Sequence, residues 1–209
     1  PPDTIVVWFD AHADCNTADT TVTGMLDGLA LSMVTGRALH NLTTSVEGFV
    51  PVEASRVILV GARDLAAAEV SALATSPMVR VSADTAPAGV ARAIRSLARP
   101  GAPVCLHLDL DVLEPTLARA NRYAAPGGLS PEALIATLER IVEVAHVHAL
   151  APRERVAGRG DQHHRDREHA QRVELVERGA FLDEADVHLA VHHLARDLFE
   201  PAAVDPDLD

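Results

Sequence analysis

A three-layer α/β fold with a mainly parallel sheet is the class this sequence predicts, on three observations. Short apolar runs alternate with helical patterns over residues 1–150. Those runs are rich in β-branched residues and nearly free of polar ones, as strands covered on both faces are. Acidic clusters follow directly after two of the runs, where the carboxyl ends of parallel strands form a ligand-binding rim.

The elements can be justified in order. The strand candidates are residues 5–9, 56–60, 78–81, 104–108 and 144–150. The helix candidates are 26–39, 66–73, 87–97 and 131–144. The last has the clearest start, with Ser130 as N-cap, Pro131 at the first helical position and Glu132 in the first turn. The chain opens Pro1-Pro2-Asp3, without Met, almost directly on a core strand. On that ground it is expected to be a piece of a longer protein, lacking upstream strands.

Composition bounds the function. The 209 residues, 22.2 kDa, suit one large domain or a domain with a tail. Apolar residues make up 48% and charged residues 23% of the chain, enough for a sizeable core. The net charge of −12 disfavours nucleic acid and anionic membrane surfaces as partners. All 18 basic residues are Arg, a bias expected of a GC-rich coding sequence. No apolar run reaches the ~18 residues of a membrane span, and the first residues lack the charged-plus-apolar pattern expected of a signal peptide. Two cysteines, Cys15 and Cys105, do not make a disulfide scaffold, so a cytoplasmic location is expected. Both read as small buried hydrophobes rather than catalytic groups.

The character changes near residue 150. Arg153-Glu154-Arg155 and the run from Gly160 to His169 carry dense charge with no core period. Residues 151–209 therefore read as a charged, His/Arg-rich tail, either solvated with one or two surface helices or the product of a frame change. His163, His164 and His169 belong to that run and are read as solvated rather than as a metal site.

Two motifs carry chemistry. Phe9-Asp10-Ala11-His12-Ala13-Asp14 follows the first strand. Alternation along an extended backbone sends Asp10, His12 and Asp14 to one side. Leu106-His107-Leu108-Asp109-Leu110-Asp111 ends another strand, and Asp109 and Asp111 share a side by the same argument. Four carboxylates and an imidazole in one place repel unless cations neutralise them. Oxygen-rich ligation with one imidazole suits Mn²⁺ or a similar divalent ion and disfavours a thiolate zinc site. His107 is read either as a supporting group behind the metal ligands or as a buried, hydrogen-bonded core histidine.

With their surroundings, these motifs resemble the ureohydrolase family of arginases, agmatinases and formiminoglutamases. Asp10-Ala11-His12-Ala13-Asp14-Cys15-Asn16-Thr17 is similar to the family's first signature, with the Asn and Thr typical of arginases. His107-Leu108-Asp109-Leu110-Asp111-Val112-Leu113-Glu114-Pro115, followed by Pro126-Gly127-Gly128-Leu129-Ser130, is similar to the second. Here the family usually has Ser where His107 stands, and Asp where Glu114 stands. Gly61-Ala62-Arg63-Asp64-Leu65 matches a further recurrent segment. The resemblance covers residues 4 to about 150.

It implies an arginase-like fold and a manganese-dependent hydrolase of a linear amidine or guanidino compound, releasing urea. Asp10 and Asp109 would bridge two Mn²⁺ ions, His12 and Asp111 would complete the second ion's ligands, and Asp14 would bind the first. Asp14 would also orient the attacking hydroxide. The family's first metal takes a further His from an upstream Gly-Gly-Asp-His segment, which does not occur in these 209 residues. Asp27 occupies the position of the family's proton-shuttling His. Asn16 and Thr23 fit the arginase residues that hold the amino-acid end of the substrate, whereas Met25 and Ala66 depart from that pattern. Glu154 falls near the place of the guanidinium-binding carboxylate but outside the strand candidate at 144–150. Family members often assemble as homo-oligomers. The departures define an alternative, a non-catalytic or partially metal-binding fragment of the same fold. A nucleotide-sugar transferase reading of Asp109-x-Asp111 leaves the first motif unexplained and finds no nucleotide-binding glycine loop.

Overall fold

In the computed structural model, which describes residues 3–100, 102–117 and 121–153, the five apolar runs form one parallel sheet. The strands are β1 (Ile5–Phe9), β2 (Val57–Val60), β3 (Val79–Val81), β4 (Val104–Asp109) and β5 (Val147–Arg153). Their spatial order is β3-β2-β1-β4-β5, and every pairing is parallel. The chain builds outward from β1 through β2 to β3, then returns to the other side of β1 to lay down β4 and β5. That reversal opens a crevice at the carboxyl ends of β1 and β4, where parallel sheets bind ligands.

Alternation along the strands divides the core between two faces. Ile5, Val7 and Phe9 join Ile58, Val60, Leu106 and Leu108 beneath α4 (Ala86–Leu97) and α5 (Pro131–Val144). Val6 and Trp8 face the other way, with Val57, Leu59, Leu31 of α1 (Ala30–Val34) and Leu73 of α3 (Ala67–Thr75). Helices on both faces give the three layers expected. α5 starts as its sequence dictates, with the Ser130 hydroxyl accepting a bond from the Ala133 amide at 3.2 Å.

Two elements differ from the expectation. The single helix expected over 26–39 is a short 3₁₀ turn (Asp27–Leu29) and α1, with a separate short helix α2 (His40–Thr43) following it. Gly36 at φ +72° ends α1, and Leu39 at φ +48° also turns left-handed, so the helical path cannot continue between them. The last strand begins later than expected and runs past 150, with Leu108 opposite Pro152 and Asp109 opposite Arg153. Proline argues against a strand interior but is tolerated at a sheet edge, and β5 is one of the two edge strands among the described residues. The strand therefore reaches the residue before Glu154, correcting the view that this segment lies apart from it. Glu154 itself and the remainder of 151–209 beyond Arg153 lie outside the described residues.

Phe9 is completely buried on the central strand of the sheet. Phe9→Ala is expected to lower stability by about 3–5 kcal/mol, through lost burial and a cavity under α4 and α5. Denaturant unfolding monitored by circular dichroism checks this; a loss under 1 kcal/mol would mean the core is not organised around β1.

Candidate metal centre

β1 ends at Phe9, and the backbone beyond it is held by the neighbouring strands. The Asp10 amide donates to the Val60 carbonyl at 3.2 Å. The Ala11 amide donates to Asp111 Oδ1 at 2.9 Å, fastening the first motif to the second. Asp109, at the end of β4, accepts the Asp111 amide at 2.9 Å. Asp10, Asp14, Asp109 and Asp111 are all buried, which is costly for carboxylates without countercharge.

The imidazole of His12 lies among them. Its Nδ1 is 3.2 Å from Asp10 Oδ1 and 3.1 Å from Asp111 Oδ2, and its Nε2 is 3.8 Å from Asp64 Oδ2. Two groups of possible ligands result, each with its donor atoms within 4.8 Å of one another. One is Asp10, His12 and Asp111; the other is Asp10, Asp14 and His107. Asp10 belongs to both. Asp109 belongs to neither group, although it closes the turn that carries Asp111.

Asp10, His12, Asp14 and Asp111 thus fall into these two groups while Asp109 does not, and Asp14 arrives by a route other than strand alternation. An extended backbone is not what brings Asp14 in. The strand has ended, and Asp14 sits at φ +49°, a left-handed conformation that is uncommon outside glycine and tolerated best by Asn and Asp.

Electrostatics follow from the crowding. Hydrogen bonding to Asp10, and next to Asp111, pushes His12 up to about 11, so its ring is an imidazolium near neutral pH. Burial raises the Asp10 carboxyl above its ordinary range, against the opposing bond to His12. Burial also works against ionisation of Asp111. The bonds it makes with His12, the Ala11 amide and Asn121 outweigh that and hold it well below the usual carboxylate range. A carboxylate-rich pocket that retains a proton on its imidazole has the donors and the charge demand of a divalent-cation site.

Several residues that sequence reasoning left without a role hold this arrangement. Arg63 donates to the carbonyls of Gly61, Asp111, Leu113 and Ala125, at 3.0, 2.9, 3.2 and 2.7 Å. It thereby ties the segment after β2 to the loop that carries Asp111. Glu69 of α3 accepts the Cys15 amide at 3.1 Å and the Ala66 amide at 3.0 Å, clamping the loop after β1. Asn121 Nδ2 donates to Asp111 Oδ2 at 3.2 Å. Glu114, the departure from the usual Asp, still caps the glycine pair, accepting the Gly127 and Gly128 amides at 2.7 and 3.2 Å. Gly128 is required there, since a Cβ would lie 2.4 Å from the Leu113 carbonyl carbon. The recurrent Gly-x-Arg-Asp segment was the available signal for Arg63; nothing local marks Glu69 or Asn121.

The remaining predicted residues sit in the loop after the first motif. Asn16 is half-buried, with its side-chain oxygen accepting from the Thr20 hydroxyl at 3.1 Å and its amide donating to the Gly28 carbonyl. Thr23 is exposed and accepts the Met25 amide at 3.2 Å. Asp27 is exposed at the start of the 3₁₀ turn and belongs to neither ligand group. Cys15 is buried, and burial followed by Glu69 pushes its thiol up to about 11, which suits a packing role.

Residues 1–151 match the family model described as the arginase family. The chain belongs to the arginase family. Among its relatives is an N(omega)-hydroxy-L-arginine amidinohydrolase of Streptomyces lavendulae, 38% identical over 162 residues, covering 74% of this chain and 55% of the relative. An arginase of Bacillus subtilis is 32% identical over 132 residues, 60% of this chain and 44% of that one. The chain thus spans about half the length of the arginase-family relatives it matches. A crystal structure of arginase from Bacillus subtilis superposes with a TM-score of 0.66 at 22% identity, covering 96% of this chain and 63% of that one. That likeness establishes the arginase-family fold.

Two outcomes are expected. Arg63→Lys leaves several carbonyls without a donor, because an ammonium cannot fork between them. It should cost about 2 kcal/mol and weaken divalent-cation binding at least tenfold, read by denaturation and calorimetric titration. Cation binding must also displace the His12 proton, so affinity should rise with pH between 6 and 8, approaching tenfold per unit. A flat pH profile would remove His12 from the ligand set.

Proposed function

We propose that this chain carries the metal-dependent active site of a hydrolase that cleaves a linear amidine or guanidino group and releases urea. The observation that carries the reading is the position of Asp10, shared between two ligand groups at the mouth of β1 and β4. Membership in the arginase family supports it, as do relatives named for arginine and N(omega)-hydroxy-L-arginine hydrolysis.

In this reading Asp10, His12, Asp14, Asp109 and Asp111 hold two Mn²⁺ ions. Such ions, when bound, supply Lewis acidity and acidify water enough to make a nucleophile near neutral pH. The chain's own residues do the rest. Asp14, held by its left-handed backbone, orients the attacking oxygen through its carboxylate. Asp27 relays a proton between the pocket and solvent, a role its exposure permits. Asn16 and Thr23 offer polar groups to the non-guanidino end of a small substrate. The net charge of −12 supports a cationic small molecule, rather than a nucleic acid, as the partner. Among the described residues no helix is long and apolar enough to cross a membrane. A cytoplasmic location and assembly into a homo-oligomer complete the proposal.

The test is urea release from L-arginine, N(omega)-hydroxy-L-arginine and agmatine by the metal-saturated chain. Turnover should require Mn²⁺ and fall at least 10²-fold in Asp14→Asn. Absence of turnover with all three, at full metal loading, would favour the non-catalytic, partially metal-binding alternative.

A further inference from the structure

The reading above gives His12 to one side of Asp10 and leaves Asp14 with carboxylates alone. The structure places a second imidazole on that other side. β1 and β4 pair in parallel with Trp8 opposite His107, so these two side chains emerge on the same face of the sheet. Their rings stack with centroids 3.6 Å apart and an interplanar angle of 17°. Two residues beyond Trp8, just past the end of β1, Asp10 comes to the same spot, and past the left-handed turn Asp14 brings a second carboxylate there. A donor nitrogen of His107 and carboxylate oxygens of Asp10 and Asp14 all lie within 4.8 Å of one another. Donors bound at about 2.1 Å to one ion stand roughly 3–4 Å apart, so a small inward movement suffices for all three to reach a single cation.

We infer that His107 is a metal ligand of this chain, binding the cation held by Asp10 and Asp14, while His12 serves the one held by Asp10 and Asp111. This rests on the two-metal reading above. It adds a donor at the position where the family usually has Ser, and so is not inherited from the family's pattern. Of the two expectations for His107, supporting group or core histidine, neither places it on the metal. The stacking supports the new assignment. A flat indole against one face of the imidazole fixes the ring plane and leaves the nitrogens at its edge, the direction from which a cation approaches. Each cation then has one imidazole beside its carboxylates, a balanced donor set for Mn²⁺. All of these donors come from the ends of two neighbouring strands and the loop after one of them.

The test uses the 209-residue chain and Mn²⁺ alone. Equilibrium dialysis should give two ions per wild-type chain and one per His107→Asn chain, or a second ion held at least tenfold more weakly. His12→Asn should lose the other ion and keep the His107 one. Pulsed electron paramagnetic resonance of wild-type chain labelled with ¹⁵N-histidine should show manganese coupled to two imidazoles. This measurement stands even if a variant folds poorly, and loss of one coupling in His107→Asn assigns it. Two ions bound with unchanged affinity in His107→Asn, or a single coupled imidazole in the wild type, overturns the role of His107 and leaves the two-metal reading intact. No Mn²⁺ bound by the wild-type chain overturns both.

Discussion

Four buried carboxylates at the ends of two adjacent strands are the constraint around which this molecule is arranged. Asp10, Asp14, Asp109 and Asp111 cannot all be ionised in a low-dielectric setting without neighbouring positive charge. The fold answers with backbone amides, with the imidazolium of His12 and with the Arg63 guanidinium behind the loop. Sheet order decides that this crowding occurs where it does. Because β1 is central and β4 is laid beside it only after β2 and β3, the two acidic motifs, about a hundred residues apart in the chain, open onto one crevice.

The apparatus that holds the ligands is as extensive as the ligand set. Arg63 reaches across three loops, Glu69 pins the segment after β1 to the start of α3, and Glu114 gathers the glycine amides before α5. None of the three lies in a ligand group. Their common effect is to give irregular backbone fixed partners, so that loops at the sheet edge hold side chains as firmly as strands would. The left-handed Asp14 belongs to the same logic, since a conformation of that kind persists only where its surroundings over-determine it.

How much of this was legible in the sequence depends on the range of the forces involved. Strands were found because burial on both faces leaves an unbroken apolar run, and α5 because its cap is written in three consecutive residues, Ser130, Pro131 and Glu132. The helix expected over 26–39 failed because apolar spacing continued through Gly36, where the backbone turned left-handed. β5 runs beyond the apolar stretch 144–150 through Pro152, which a strand tolerates at an edge, a position that only the tertiary arrangement reveals. The ligand motifs were visible because their residues are contiguous. Arg63, Glu69 and Asn121 act across the fold, and spacing along a chain carries no record of such contacts. His107 lies between these cases. Its parity with Asp109 was readable, but its partners Asp10 and Asp14 depend on strand pairing and on one backbone torsion.

Trp8 is the only tryptophan in the chain, and it lies flat against His107. The intrinsic ultraviolet emission of the whole protein therefore originates largely at the floor of the crevice, in van der Waals contact with an imidazole. Protonation, ligation or displacement of that ring alters the electron-accepting character of the group touching the excited indole. The molecule thus contains its own optical probe, placed by strand register and needing no label.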